Sequence, residues 1–146
     1  MDCEQLKLDN QLCFRLYTAS RLITQAYTPL LGELGLTYPQ YLVMMVLWEK
    51  DSQPVNDIAK RLYLETNTVT PLLKRMEAEG LVKRLRDAAD GRRVLVRLTP
   101  AGKALRRKAA SVPEGLAGKL SPCRSLTPDV SPVLFNTLDE IIETLR

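Results

Sequence analysis

No histidine occurs anywhere in the 146 residues. That removes the usual Ser–His and Cys–His nucleophile pairs, and with them most hydrolytic chemistry. The three cysteines, Cys3, Cys13 and Cys123, lack the tight ligand spacing of a zinc site. Gly-rich phosphate loops are missing too. The reading is therefore of a non-enzyme with no catalytic residue, metal or cofactor. No apolar run approaches the ~18 residues that span a bilayer. The start, Met1-Asp2-Cys3-Glu4-Gln5, is polar and acidic, unlike the basic-then-apolar opening of a signal peptide. A cytoplasmic chain with no membrane partner is expected, in a compartment where thiols stay reduced and a cysteine pair is more often redox-active or metal-binding than structural.

What is present is a one-signed charge block. Residues 60–108 hold 14 Lys and Arg against 5 Asp and Glu, a net +9, while the remainder of the chain carries −5. A basic middle between acidic ends predicts a polyanion-facing region on an acidic scaffold. A hydrophobic content of 45% is enough to bury a core. The length fits one domain, 1–146, with a head at about 51–100 and flanking helices at about 6–34 and 101–146.

Apolar residues Leu12, Leu16, Ala19, Ile23, Ala26 and Leu30 recur at spacings of four and three, which predicts a long helix over 9–31. Thr37-Tyr38-Pro39-Gln40 carries a capping box with Pro in the first turn. The helix it opens, to about Lys50, is apolar on nearly every side and should be central and buried. Asp51–Pro54 reads as a turn, 55–62 as a short helix, and 66–79 as a longer one capped by Thr66. The period then changes: 81–86 and 93–99 read as strands of a hairpin with a basic tip around Asp90-Gly91. Residues 111–132, rich in Pro, Ser and Gly, read as loop, with Cys123 in their midst. The last helix, about 129–146, stripes Leu134, Leu138, Ile141 and Leu145 along one side.

This order is that of a winged helix-turn-helix: mainly α, with a small β-hairpin wing. The major groove is ~12 Å wide and admits one helix, which must present short polar side chains near its N-terminus. Thr66, Asn67, Thr68 and Thr70 supply them, with Lys74 and Arg75 for phosphates. At the hairpin tip, Arg92 and Arg93 suit the narrow, negative minor groove, and Asp90 or Asp87 can aim them. Taken singly, each of these residues is a helix cap or a solvated charge; the ordered set predicts double-stranded DNA as the partner.

The run from Asn67 to Glu77, then Gly80-Leu81-Val82, Asp90-Gly91-Arg92-Arg93 and Leu98–Gly102, resembles the MarR family of dimeric winged-helix repressors. The stretch Leu8–Tyr17, with Tyr27 and Leu36–Tyr41, is similar to the branch of that family that senses organic hydroperoxides, the OhrR repressors. The resemblance covers roughly residues 5–110. It implies a homodimer held by helices from both chain ends. The apolar stripes of the two terminal helices agree with that. A two-fold dimer would set its recognition helices one DNA turn, ~34 Å, apart on a pseudo-palindromic operator.

Free cysteine is most often a small buried hydrophobe, and Cys13 has that reading open to it. The resemblance implies instead that Cys13 is the redox sensor. Tyrosines matching Tyr27 and Tyr38 would come from the partner subunit to donate to its sulfur, with Tyr17 one turn away, and such bonds favour the thiolate. Hydroperoxide would oxidise Cys13 to a sulfenic acid, which condenses with a second thiol. The two-cysteine type of the branch implies Cys123 of the other subunit, followed by release of DNA. Cys3 or a small cellular thiol are the alternatives as resolver. A MarR-type repressor released by a phenolic ligand is the rival function, and a thiol peroxidase, for which a basic wing has no use, a remoter one.

Overall fold

The computed structural model describes residues 3–146; Met1 and Asp2, part of the polar start read above, lie outside the described residues. By contacts the chain separates into two compact units, one ending at Val112 and one spanning Pro113–Arg146. In the first, two short 3-10 turns, Glu4–Leu6 and Leu8–Asn10, precede helix α1 (Leu12–Gly32). Helix α2 (Tyr38–Glu49) follows, then strand β1 (Gln53–Pro54), helix α3 (Val55–Arg61), helix α4 (Thr66–Ala78), strands β2 (Val82–Arg86) and β3 (Val94–Leu98), and helix α5 (Pro100–Ala109). None of the described helices is long and apolar enough to cross a membrane.

Helix α2 behaves as its composition dictates. The Thr37 hydroxyl accepts the Gln40 N–H at 3.4 Å while Gln40 Oε1 accepts the Thr37 N–H at 3.1 Å, so the capping box is closed. Tyr41, Val43, Met44, Val46 and Leu47 are buried. Around them pack Ile58 of α3, Val69, Leu73 and Met76 of α4, and Val82 and Val96 of the sheet. Each such side chain contributes roughly 1.5–3 kcal/mol of burial. The Trp48 indole N–H, at the rim of this core, donates to the Gly102 carbonyl at 3.0 Å and fastens α5 to α2.

The helix-turn-helix and its wing fall where the sequence puts them, and the fold is a winged helix. Three local expectations are corrected. Residues 51–54 are more than a turn: Gln53 and Pro54 pair antiparallel with Val96 and Leu95, giving a three-stranded sheet of order β1-β3-β2. Pro54, with no N–H, is tolerated because its strand is the edge. Thr66 does not cap α4: Glu65 holds that position without a side-chain bond, and the Thr66 hydroxyl donates to Asn56 Oδ1 at 3.1 Å. Residues 112–120 are not loop but helix α6 (Val112–Leu120), because Pro113 stands in its first turn, where its missing N–H has no partner to lose.

The second unit holds most of α6 and helix α7 (Val130–Leu145), joined by turns around Cys123. No residue of α7 is buried, and Val133, Phe135 and Leu145 are 65%, 64% and 79% exposed. In the first unit α1 is similarly bare, burying only Leu31 and leaving Leu12, Phe14, Leu22 and Ile23 exposed.

One contact of the first unit sets a sharp test. A Cβ added to Gly102 would stand 2.3 Å from the Leu81 carbonyl oxygen, a backbone atom that cannot swing away. Gly102→Ala should therefore lower unfolding stability by about 1–3 kcal/mol, the usual cost of overpacking. Urea unfolding reads this directly, and an unchanged midpoint would mean that α5 does not sit against Leu81 as described.

Candidate nucleic-acid interface and cysteine site

Helix α4 divides cleanly into two faces. Val69, Leu72, Leu73 and Met76 are buried, while Thr66, Asn67, Thr68, Lys74 and Arg75 are exposed. Thr70 is half-buried and spends its hydroxyl proton on the Thr66 carbonyl of its own helix at 2.9 Å, which leaves its oxygen as an acceptor and its methyl for contact. Pro71 is the sixth residue of the helix, not in its first turn, so the Asn67 carbonyl has no helical N–H partner four residues on.

The wing is braced from within. Asp90 Oδ1 accepts the backbone N–H of Arg92 at 3.1 Å and its Nε–H at 3.3 Å. The Arg93 backbone N–H donates to the Asp90 carbonyl at 3.0 Å, and its guanidinium lies 3.9 Å from Asp87 Oδ2. Arg86, at the end of β2, reaches the Gly91 carbonyl at 2.8 Å. Despite these bonds Arg92 remains 91% exposed, an oriented cation at the tip. Asp90 is thus the aiming group for Arg92, and Asp87 stands beside Arg93.

Between α3, the start of α4 and the wing lies a cleft of about 210 Å³, with Asn56, Thr66, Thr70, Arg84, Arg92 and Arg93 as its polar lining. Sequence reasoning did not single out Asn56 or Arg84. Arg84 is the more instructive: its backbone N–H donates to Glu77 Oε2 at 2.7 Å and its Nε–H to Oε1 at 3.3 Å, locking the end of the recognition helix to the wing. The strand alternation offered a weak signal, since Arg84 shares a face with buried Val82. The partnership with Glu77 is tertiary and had none.

The cysteine site divides in space. Cys13, the second residue of α1, is exposed, with Tyr17 one turn on and 68% exposed. Tyr27 is near the other end of the same helix, so at 1.5 Å per residue it stands about 21 Å along the axis from Cys13. There its ring meets that of Tyr38 at 4.9 Å and that of Tyr41 at 5.8 Å. Within one chain the phenols therefore assemble with each other and not with the sulfur. Burial first, then the neighbouring phenols Tyr38 and Tyr41, push the Tyr27 hydroxyl above its ordinary range; burial and Tyr38 do the same for Tyr41. Tyr27 and Tyr41 thus keep their protons as donors. Cys123 is exposed in the turns between α6 and α7, its N–H donating to the Leu120 carbonyl at 2.9 Å. Cys3 is half-buried.

The family model of the transcriptional regulator SarA/Rot matches residues 25–108. The organic hydroperoxide resistance transcriptional regulator of Bacillus subtilis is 47% identical over 115 residues, 79% of this chain and 78% of that protein. Among solved structures, reduced AbfR of Staphylococcus epidermidis bound to DNA aligns with a TM-score of 0.80 at 39% identity, covering 99% of both chains. Disulfide-formed AbfR aligns with a TM-score of 0.65 at 41% identity over 95% of both chains.

Two carboxylates that brace the wing, Glu77 of α4 and Asp90 at the tip, carry a pH signature. The backbone N–H of Arg84, aided by its guanidinium, holds Glu77 below the ordinary carboxylate range; the backbone N–H and then the side chain of Arg92 do so for Asp90. A lowered folded value gives stability that is present above the ordinary range and is lost as pH falls through the lowered one. Carbon NMR titration should place both midpoints below those of the same residues in the urea-unfolded chain. Equal midpoints in the two states would dissolve both tethers.

Proposed function

Because the chain belongs to the MarR-like family of winged-helix transcriptional regulators, we propose that it is a redox-sensing repressor, binding operator DNA as a reduced homodimer and releasing it on oxidation by organic hydroperoxide. Asn67, Thr68 and the Thr66 and Thr70 side chains face the bases of the major groove. Lys74 and Arg75 take phosphates, and Arg92 and Arg93, aimed by Asp90 and Asp87, take the minor groove. The exposed apolar faces of α1 and α7 are those a homodimer would cover.

One observation carries the inter-subunit form of the switch. Cys13 lies at one end of α1 and Tyr27, with the Tyr38 ring of α2 packed on it, near the other, so only a second chain, running the other way, can bring them together. In that dimer the partner's phenols donate to the Cys13 thiolate, with Tyr17 beside it. The thiolate attacks the distal peroxide oxygen: an S–O bond forms, the O–O bond breaks, and the alkoxide leaves as an alcohol after taking a proton. Sulfur is oxidised by two electrons and the peroxide reduced by two. The Cys123 thiol of the other subunit then attacks the sulfenic sulfur, an S–S bond forms, and water leaves. The phenols lose their thiolate acceptor, and the new bond holds the winged heads out of register. A hundredfold loss of affinity needs only ~2.7 kcal/mol of coupling. The neighbour AbfR, solved both reduced on DNA and with a disulfide formed, supports a disulfide as part of the cycle.

Cys13→Ser should bind DNA as the wild type does and stay bound in cumene hydroperoxide, while Cys123→Ser should form no disulfide-linked dimer on non-reducing gels. Release by a Cys13→Ser protein would end the sensor role; a persistent linked dimer in Cys123→Ser would move the resolving role to Cys3; release by a phenolic ligand with every cysteine replaced would favour the rival reading. Arg92→Ala should weaken binding and reduce the slope of log affinity against log salt by about 1 if Arg92 neutralises one phosphate. Unchanged affinity at physiological salt would take Arg92 out of the interface.

A further inference from the structure

Gln40 is the one buried polar side chain among the described residues, 4% exposed in the core. Its backbone N–H and Oε1 serve the capping box of α2. The cap makes no use of Nε2, which donates to Glu79 Oε2 at 3.2 Å, across 39 positions of sequence. Glu79 is the C-cap of α4. After it the chain turns through Gly80 at φ +79° and enters the wing, with the Leu81 N–H bonded to the Met76 carbonyl at 3.0 Å. The carboxylate on Gln40 thus stands at the joint between the recognition helix and the wing. The other side of the same helical turn holds Tyr38, and Tyr41 follows; both rings rest on Tyr27. One rigid turn of α2 therefore touches the phenol cluster at one edge and the joint of the DNA-reading head at the other.

We propose that Gln40 is a positioning residue that couples the phenol cluster to the recognition helix, its amide passing any shift of Tyr38 to the Glu79 end of α4. This rests on the redox reading above. A buried amide is held to its partner because leaving it unmade is costly, which makes the contact stiff enough to transmit a displacement. When the phenols lose their thiolate acceptor and the first turn of α2 adjusts, Glu79 and the helix it ends must follow or the bond must break.

Glu79 is exposed, so removing its carboxylate spares both the cap and the core. The measurement is the ratio of affinities, reduced over disulfide-oxidised, for a duplex selected on the reduced wild-type protein. In that ratio any general effect of a lost negative charge on DNA binding cancels. Glu79→Ala should bind the duplex when reduced, form the Cys13–Cys123 disulfide, and show a ratio about fivefold smaller than wild type, the worth of one lost hydrogen bond. Glu79→Gln, which restores an acceptor for Nε2, should return the ratio to the wild-type value. A Glu79→Ala ratio equal to wild type, with disulfide formation confirmed by mass mapping, would overturn the relay and leave the redox reading standing. A wild-type ratio of one would overturn the redox reading itself. A smaller ratio that Glu79→Gln fails to restore would show that acceptance from the Gln40 amide is not what the ratio reads, and would overturn the relay too.

Discussion

Helix α2 has no polar side to turn toward water, and the first unit is arranged around that constraint. Tyr41, Val43, Met44 and Leu47 must be enclosed on all sides, so α3, α4, the sheet and α5 are gathered around one central rod. The enclosure fixes what each neighbour can expose. Helix α4, with Val69, Leu73 and Met76 committed to the core, is left with Asn67, Thr68 and Lys74 outward. The reading face of the helix follows from the burial of the opposite one. The hairpin obeys the same logic: Val82 and Val96 are drawn inward, and the arginines are left at the far end of the strands.

The elements that periodicity governs were legible in the sequence. The all-round apolar helix, its capping box, the polar-faced recognition helix and the alternating hairpin each obey a local rule. What was not legible depends on partners far away in the chain. Gln53-Pro54 become a strand only because β3 offers an edge there. Thr66 looked like a cap by type, yet its hydroxyl found Asn56 on the preceding helix instead. Glu77 and Arg84 meet through the geometry of a turn at Gly80. The segment 112–120 failed for a different reason: counting Pro and Gly marks a loop, but a Pro in a first turn is compatible with a helix. For the candidate site, residue types and order were visible, and the bonds that aim them were not.

Several polar bonds in the first unit join one element to the next. Asp51 takes the N–H groups of Ser52 and Leu98 at 2.8 and 2.9 Å, tying the end of α2 to the end of β3. Trp48 ties α2 to α5, Glu77 ties α4 to β2, and the Thr99 hydroxyl caps α5 at Gly102 while also reaching the Leu81 carbonyl at 3.1 Å. Apolar burial holds the pieces together without direction; these few directed contacts set the angles between them.

The length of α1 has a further consequence. Twenty-one residues of continuous helix hold the sulfur and the phenols of one chain apart by a fixed rod. On the proposed reading, a lone protomer then lacks both a second recognition helix and a primed sulfur. Protomer concentration, through the dimer dissociation constant, governs both together. Dilution would make the chain deaf and silent at once, so no pool of unpaired subunits would consume oxidant without reporting it.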